Sequence, residues 1–252
     1  MLCIMSNLLG NKTTSKMLSE ALNSYCDDNN MKISYLYLNP EDYSKFKPRI
    51  LNYIPVFTTP VTIYRKYLKN IKYSYDYLFL QGMGIVPAFM YQVTKKPTIL
   101  AHDSTFYIHR DLELKSKNIS LNRQLNMREM IVEKIYKVCL KNVDGFLPRT
   151  NYCANSLIND YLVPKEKLIV TYVGLNIDKW RPIEKKQVDR NQYILFVGND
   201  FKRKGGDLLL KIYENYLAKY CELLIVSTDK YLNSIKIPKG IKWISGVEHD
   251  NM

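Results

Sequence analysis

The clearest sign of the architecture is the stretch YILFVGNDFKRKGGD, residues 193–207. Its first five residues are apolar and predict a buried parallel strand, and the turn that follows carries three consecutive cations at 202–204. Gly205 and Gly206 then open a leucine-rich stretch, Asp207 to about Tyr220, with the apolar spacing of a helix. The residues therefore predict a strand, a basic turn and a helix, in that order.

The basic turn has the groups that hold a diphosphate. Backbone N–H groups at the start of a helix attract anions, and glycine lets the backbone come close to a ligand. Positioned cations also stabilise the charge that develops on a leaving diphosphate, with no metal required. We predict a diphosphate-binding set of Gly198, Asn199, Arg203, Lys204 and Gly205. The alternative is a solvated basic turn, which is the commoner fate of a Lys-Arg-Lys run.

Short apolar runs alternate with longer amphipathic stretches upstream, as is typical of parallel strands joined by crossover helices. The predicted strands are Leu2–Ser6, Lys32–Leu38, Tyr75–Gln81, Thr98–Ala101, Gly145–Pro148 and Leu168–Val173. The predicted helices include Lys12–Asn29 and Ser120–Val143, the second with a broad apolar surface that we expect to lie on the sheet. The fold class is α/β, with a Rossmann-like first domain.

The chain divides at a polar stretch that follows Pro182. We predict a first domain over residues 1–182, which would hold the acceptor, a linker over 183–191, and a donor domain over 192–252. A strand at Glu222–Ser227 continues the second domain. Two or three strands cannot bury both faces of a sheet, so we expect this domain to be incomplete.

Two blocks of sequence carry a resemblance to a known family. The first contains VDGFLPRT at 143–150, VPKEKLIV at 163–170 and YVGLNIDKWRP at 172–182, and the second is the stretch that begins at Tyr193. In this order and spacing they resemble retaining glycosyltransferase family 4, which has the GT-B fold. The likeness covers about a third of the chain. It implies transfer of a sugar, with retention, from a nucleotide-diphosphate sugar to a glycan or lipid-linked acceptor, with no cofactor and no metal.

The chain departs from the family pattern at two points. Many members place an arginine directly after the glycine of the strand, where this chain has Asn199, and Arg203 could supply the missing guanidinium. The family also carries a Glu-x7-Glu motif further downstream, which this sequence does not reach. An alternative is therefore a truncated, noncatalytic module that binds a partner or a membrane surface.

Two loops of the first domain are candidate sites. His102 and Asp103 follow the predicted strand at Thr98–Ala101, at the end of the sheet where α/β domains bind ligands. The resemblance implies that one of them contacts a sugar, so both are candidate catalytic residues; the alternative is that they only cap or orient a loop. Gly10 lies in the loop after the first strand, which lacks the spacing of a P-loop and is predicted to face the cleft.

Composition restricts the partners and the location. The 252 residues carry a formal charge of +13, which attracts anions without specificity, although a lysine-rich composition explains the charge equally well. The sequence shows no recognition fold for specific nucleic-acid binding. Five scattered cysteines indicate a reducing compartment and no zinc site. We expect a cytoplasmic protein. The Tyr- and Lys-rich stretch at 64–73 has two interpretations: a helix with solvated lysines, or a segment that makes peripheral contact with the anionic inner membrane surface.

Overall fold

The computed structural model describes residues 1–7, 11–39, 67, 75–121, 124–174, 177, 193–235 and 237–245. The chain divides into two compact units, Met1–Trp180 and Arg181–Met252. The predicted linker at 183–191 lies outside the described residues.

The first unit contains a parallel five-stranded sheet with the strand order β2-β1-β3-β4-β5. Its strands are β1 (Leu2–Ser6), β2 (Ser34–Leu38), β3 (Leu78–Gln81), β4 (Thr98–His102) and β5 (Gly145–Pro148). All four pairings are parallel. Sequence periodicity therefore located these five strands to within a few residues.

Helices connect these strands. They are α1 (Asn11–Asp28), a 3-10 helix (Met83–Phe89) that continues as α2 (Met90–Val93), α3 (Phe106–Ser116), α4 (Met127–Lys141) and α5 (Asn151–Tyr161). α4 starts later than its predicted position because Asn126 caps it, accepting a hydrogen bond from the Glu129 N–H while the Glu129 carboxylate accepts one from the Asn126 N–H.

Apolar side chains cover both faces of the five-stranded sheet. Ile4, Leu80 and Phe146 belong to the larger core cluster on one face. Cys3, Met5 and Phe79 point to the other face, where Leu18 and Leu22 of α1 pack. This two-sided burial explains why the strands are nearly continuous apolar runs.

One prediction about the first unit is wrong, and a second is confirmed only in part. Leu168–Val173 does not form a strand of its own; it makes an isolated parallel bridge between Leu168 and Phe146 and then follows the sheet edge through an Ile169 N–H bond to the Phe146 carbonyl. The predicted apolar surface of α4 packs on the core through Ile135, Tyr136 and Cys139, but its outer part is exposed, with Met127 at 76% and Val138 at 61%. Only Cys139 and Leu140 of this helix are buried.

The second unit contains a parallel three-stranded sheet in the order β6-β7-β8. Its strands are β6 (Tyr193–Val197), β7 (Glu222–Val226) and β8 (Ile241–Ile244), and α6 (Gly206–Ile212) follows β6. A π-helix, Tyr213–Leu217, continues α6 and buries Tyr213, whose hydroxyl donates to the Gly240 carbonyl at 2.9 Å. The core is formed by Phe201, Leu223 and Ile225, which are fully buried.

All five cysteines are free thiols. Cys3, Cys26, Cys139 and Cys153 are buried, and Cys221 is half-buried. Burial raises the pKa of Cys3 to about 12 and that of Cys139 to about 11. The Cys3 and Cys139 thiols are therefore core residues that stay protonated at neutral pH.

Of the Tyr- and Lys-rich stretch at 64–73, the structure describes only Tyr67, which packs against the larger core cluster. No helix among the described residues is long and apolar enough to cross a membrane.

Candidate functional site

A cavity of about 750 Å³ opens at the carboxyl end of the five-stranded sheet. Ser6 and Gln81 are the last residues of β1 and β3, and Asp103 directly follows β4; all three line the cavity. The walls come from α3, through Phe106 and Arg110, and from α4 and its cap. This is the end at which parallel α/β sheets bind ligands, so we take the cavity as the candidate site of the first unit.

Asp103 lies where the sequence predicted it, exposed on the cavity wall. Two residues further along the same loop, Thr105 caps α3 by accepting a hydrogen bond from the Ile108 N–H. The Thr105 hydroxyl also contacts the Ser156 hydroxyl at 2.7 Å, and Ser156 donates to Asp160 at 2.6 Å. A buried network therefore holds the segment that presents the Asp103 carboxylate.

His102 lies in the core instead. It is 2% exposed, its ring meets Phe146 edge-on at 6.5 Å, and its side chain is not part of the cavity lining. Burial lowers the pKa of His102 to about 4, against the opposing effect of the Asp103 charge. The imidazole is thus neutral at pH 7, and this placement favours Asp103 over His102 for contact with a ligand.

The cavity floor contains a polar group that sequence reasoning missed. Gln81 is 1% exposed, and its Oε1 accepts hydrogen bonds from the Ser6 N–H at 3.3 Å and from the Ser15 hydroxyl at 2.6 Å. The available signal was a polar residue at the end of the apolar run Leu78–Leu80. A buried amide at that position requires partners, and one of them comes from α1.

The sequence also provides no indication that Arg110 belongs to the candidate site. It is 8% exposed in the cavity wall, with its Nε 3.7 Å from Glu129 and its Nη1 3.7 Å from Asp111. A buried guanidinium needs such carboxylate neighbours to offset its lost hydration. No sequence pattern connects α3 with the cap of α4, so this pairing follows only from the tertiary structure.

The second unit presents the basic turn at the carboxyl end of β6. The Lys204 side chain lies against Gly198: a Cβ added there would be 2.6 Å from Lys204 Cδ and 3.1 Å from its Nζ. Arg203 Nε pairs with Asp200 at 2.5 Å, and the Lys202 ammonium sits 4.1 Å from the Tyr231 ring centre. Of the three cations, Lys204 is therefore the one laid across the end of the strand.

The remaining residues of the predicted diphosphate set shape this turn. The Asn199 side-chain oxygen accepts a hydrogen bond from the Thr228 N–H at 3.0 Å, which links the ends of β6 and β7. Gly205 has φ +82°, a left-handed conformation that favours glycine. Its N–H donates to the Lys202 carbonyl, and that of Gly206 donates to Phe201. These N–H groups are engaged within the turn, so attraction for an anion here comes chiefly from the side-chain cations.

Gly10, predicted to face the cleft, lies outside the described residues. Within the described ranges, no group of three or more His, Cys, Asp or Glu side chains could hold a metal ion.

A second cavity, of about 680 Å³, lies on the α1 side of the same sheet. Its floor is Phe79, Ala101 and Leu147, and its rim includes Arg149 and Tyr172. This lining is mainly apolar and offers few groups that could orient a polar substrate.

Comparison with known proteins supports the fold. The chain resembles the UDP-GlcNAc 2-epimerase of Methanocaldococcus jannaschii, solved in complex with UDP-GlcNAc and UDP, with 13% identity and a TM-score of 0.53 over 99% of this chain and 74% of that one. The fold is of the GT-B type. This confirms the predicted α/β class with parallel sheets.

A second similar structure is the glycotransferase of kitacinnamycin, with 8% identity and a TM-score of 0.46 over 96% of this chain and 70% of that one. No protein-family description matches the chain, and no curated protein matches it in sequence.

Proposed function

We propose that this chain acts in sugar transfer as a retaining glycosyltransferase, with a nucleotide-diphosphate sugar bound by the second unit and an acceptor bound by the first. The observation that carries the proposal is the position of Lys204, across Gly198 at the carboxyl end of β6. The sequence resemblance to glycosyltransferase family 4 supports it. The structural neighbour bound to UDP-GlcNAc and UDP is consistent with a nucleotide-sugar ligand on this fold.

In this reaction the bond between the anomeric carbon and the phosphate oxygen breaks, and a bond to an acceptor hydroxyl forms on the same face. The hydroxyl proton passes to the leaving phosphate oxygen. This route needs no carboxylate nucleophile on the protein. Negative charge grows on the diphosphate as it departs, and the Lys204 ammonium stabilises that charge. Asp103, exposed on the cavity wall of the first unit, orients the acceptor hydroxyl.

Arg203 has a secondary part in this scheme. Its guanidinium is 64% exposed and pairs with the half-exposed Asp200, an interaction that is weak in water. A diphosphate can therefore draw the guanidinium away at little cost. The side chain could supply the positive group that the family places at the position of Asn199.

The free thiols support a proposal for the location of this activity. All five cysteines are free, so we propose a reducing, cytoplasmic setting.

The test is binding of nucleotides to the 252-residue chain by isothermal titration calorimetry. We expect UDP, GDP or ADP to bind at least tenfold more tightly than its own monophosphate, because the second phosphate reaches Lys204. Lys204→Ala should abolish this preference. The matched control is Lys202→Ala, which removes a cation held over Tyr231 and should leave the preference intact. Equal affinity for diphosphates and monophosphates in the unaltered chain would contradict the proposal.

A further inference from the structure

Two buried polar groups in the cavity lining of the first unit lack hydrogen-bond partners. They are the Gln81 Nε2 and the Ser104 Oγ, and neither has a partner among the residues that the structure describes. Buried polar groups are nearly always paired, so one on a cavity wall that has no protein partner is free to bond to a molecule in the cavity.

The orientation of the Gln81 amide is fixed by its neighbours. The Ser6 N–H can only donate, so the atom it meets at 3.3 Å must be the amide oxygen. The Ser15 hydroxyl, at 2.6 Å, bonds to the same oxygen. The two N–H groups of Nε2 are therefore left for the cavity, where they can donate to oxygen atoms of a bound molecule.

The described charges around the cavity do not favour a strongly charged occupant. Among the residues that the structure describes, the lining has three carboxylates and three cations, so 3 − 3 leaves no formal net charge, in contrast to +13 for the whole chain. Glu113 and Lys117 neutralise each other at 2.5 Å, and Glu129 lies 3.7 Å from Arg110. These pairs weaken the attraction of the described lining for a polyanion.

The cavity lining also contains aromatic side chains. Phe106 and Tyr136 bring aromatic carbon to a wall that otherwise offers amide, hydroxyl and carboxylate groups. Carbohydrates need both, because their hydroxyl groups take hydrogen bonds while their C–H faces pack on apolar carbon.

We propose that this cavity binds a neutral polyhydroxylated molecule, a sugar or sugar chain, with Gln81 Nε2 donating to one of its oxygens and Ser104 bonding to another. Its assignment as the acceptor rests on the proposed function. Gln81 and Ser104 then contribute to specificity, since they bond to the oxygens of an uncharged ring with hydroxyls and disfavour a lipid tail.

Two variants separate binding from structural support. Ser104→Ala removes a hydroxyl that has no partner within the described chain, so it should weaken ligand binding without lowering the midpoint of thermal unfolding. Gln81→Met keeps the side-chain length and removes the donor, at the expense of the bonds to Ser6 and Ser15. The control is Ser19→Ala, in α1, whose hydroxyl donates to the Lys16 carbonyl in the same helix.

The experiment is a glycan array with neutral, sulfated and uronic-acid oligosaccharides, probed with the labelled 252-residue chain. We expect retention on neutral glycans, a loss of at least tenfold with Ser104→Ala and with Gln81→Met, and less than a twofold change with Ser19→Ala. No retention, retention confined to sulfated or uronic-acid glycans, or equal retention by Ser104→Ala and the unaltered chain would overturn the inference. If Gln81→Met does not fold, Ser104→Ala alone decides.

The same preparations are titrated with UDP, GDP and ADP. Diphosphate binding without glycan retention refutes the sugar cavity and leaves the donor proposal standing. Glycan retention without nucleotide binding refutes the donor proposal and leaves the cavity assignment as a carbohydrate-binding site.

Discussion

Gly198→Ala probes the basic turn by moving Lys204 without removing its charge. The added Cβ would lie 2.6 Å from Lys204 Cδ, well inside the ordinary contact distance for carbon atoms. Because the Lys204 side chain is exposed and flexible, it should swing away from the strand end while the backbone stays in place. We therefore expect weaker diphosphate binding at unchanged net charge.

The magnitude follows from the kind of contact that is lost. A hydrogen bond to a charged group contributes about 1.5–3 kcal/mol, and the exposure of Lys204 puts it at the lower end. Lys204→Ala should then raise the Kd for a nucleoside diphosphate about tenfold. Gly198→Ala keeps the charge nearby, so the Kd should rise by less, roughly threefold to tenfold.

The assay is calorimetric titration of the single and double variants with UDP, GDP and ADP. If Gly198 acts only by giving room to Lys204, the double variant should bind as weakly as Lys204→Ala, with no further loss. Unchanged affinity in Gly198→Ala refutes the reasoning. A double variant much weaker than Lys204→Ala would mean that the added methyl group obstructs the ligand directly.

Three further results are expected. Gly206→Ala should lower the free energy of unfolding by about 1–3 kcal/mol in urea titration, because its Cβ would lie 2.4 Å from the buried Phe201 ring, whereas Gly84→Ala meets only a hydroxyl at 4.0 Å and should cost far less. Folding lowers the pKa of His102 from 6.5 to about 4, so the contribution of His102 to stability is full above pH 6.5 and falls by roughly 3 kcal/mol as the pH drops towards 4. The difference in unfolding free energy between the unaltered chain and His102→Gln should therefore shrink between pH 7.5 and pH 4.5. A constant difference over this range would contradict the assignment. Asp103→Asn should slow sugar transfer at least tenfold while the Kd of the diphosphate stays within twofold, and a matching loss of nucleotide affinity would argue against its role at the acceptor.

Most strands could be predicted from the sequence because parallel strands buried on both faces are short apolar runs. Leu2–Ser6 and Gly145–Pro148 match their predicted bounds. Leu168–Val173 has the same composition, but it runs along the sheet edge with a single bridge to Phe146. Composition predicts an extended segment and does not show whether it has a neighbouring strand with which to pair.

The candidate site was only partly accessible to sequence reasoning. The position of Asp103 follows from the end of β4. Strand alternation could have placed His102 on the core face, because it shares that face with Leu100, two residues earlier. The bonds of Gln81 to Ser6 and Ser15 depend on the pairing of β1 with β3 and on the packing of α1 against the sheet, which no local pattern encodes.

The distribution of thiols makes the chain suitable for site-directed labelling. Four of the five cysteines are buried, and Cys221 is half-buried with its sulfur 3.7 Å from the Leu217 carbonyl. Because maleimides react with accessible thiolates, a cysteine placed on an open surface should react much faster than the native ones near pH 7. A fluorophore could thus be attached beside either unit without first replacing any native cysteine.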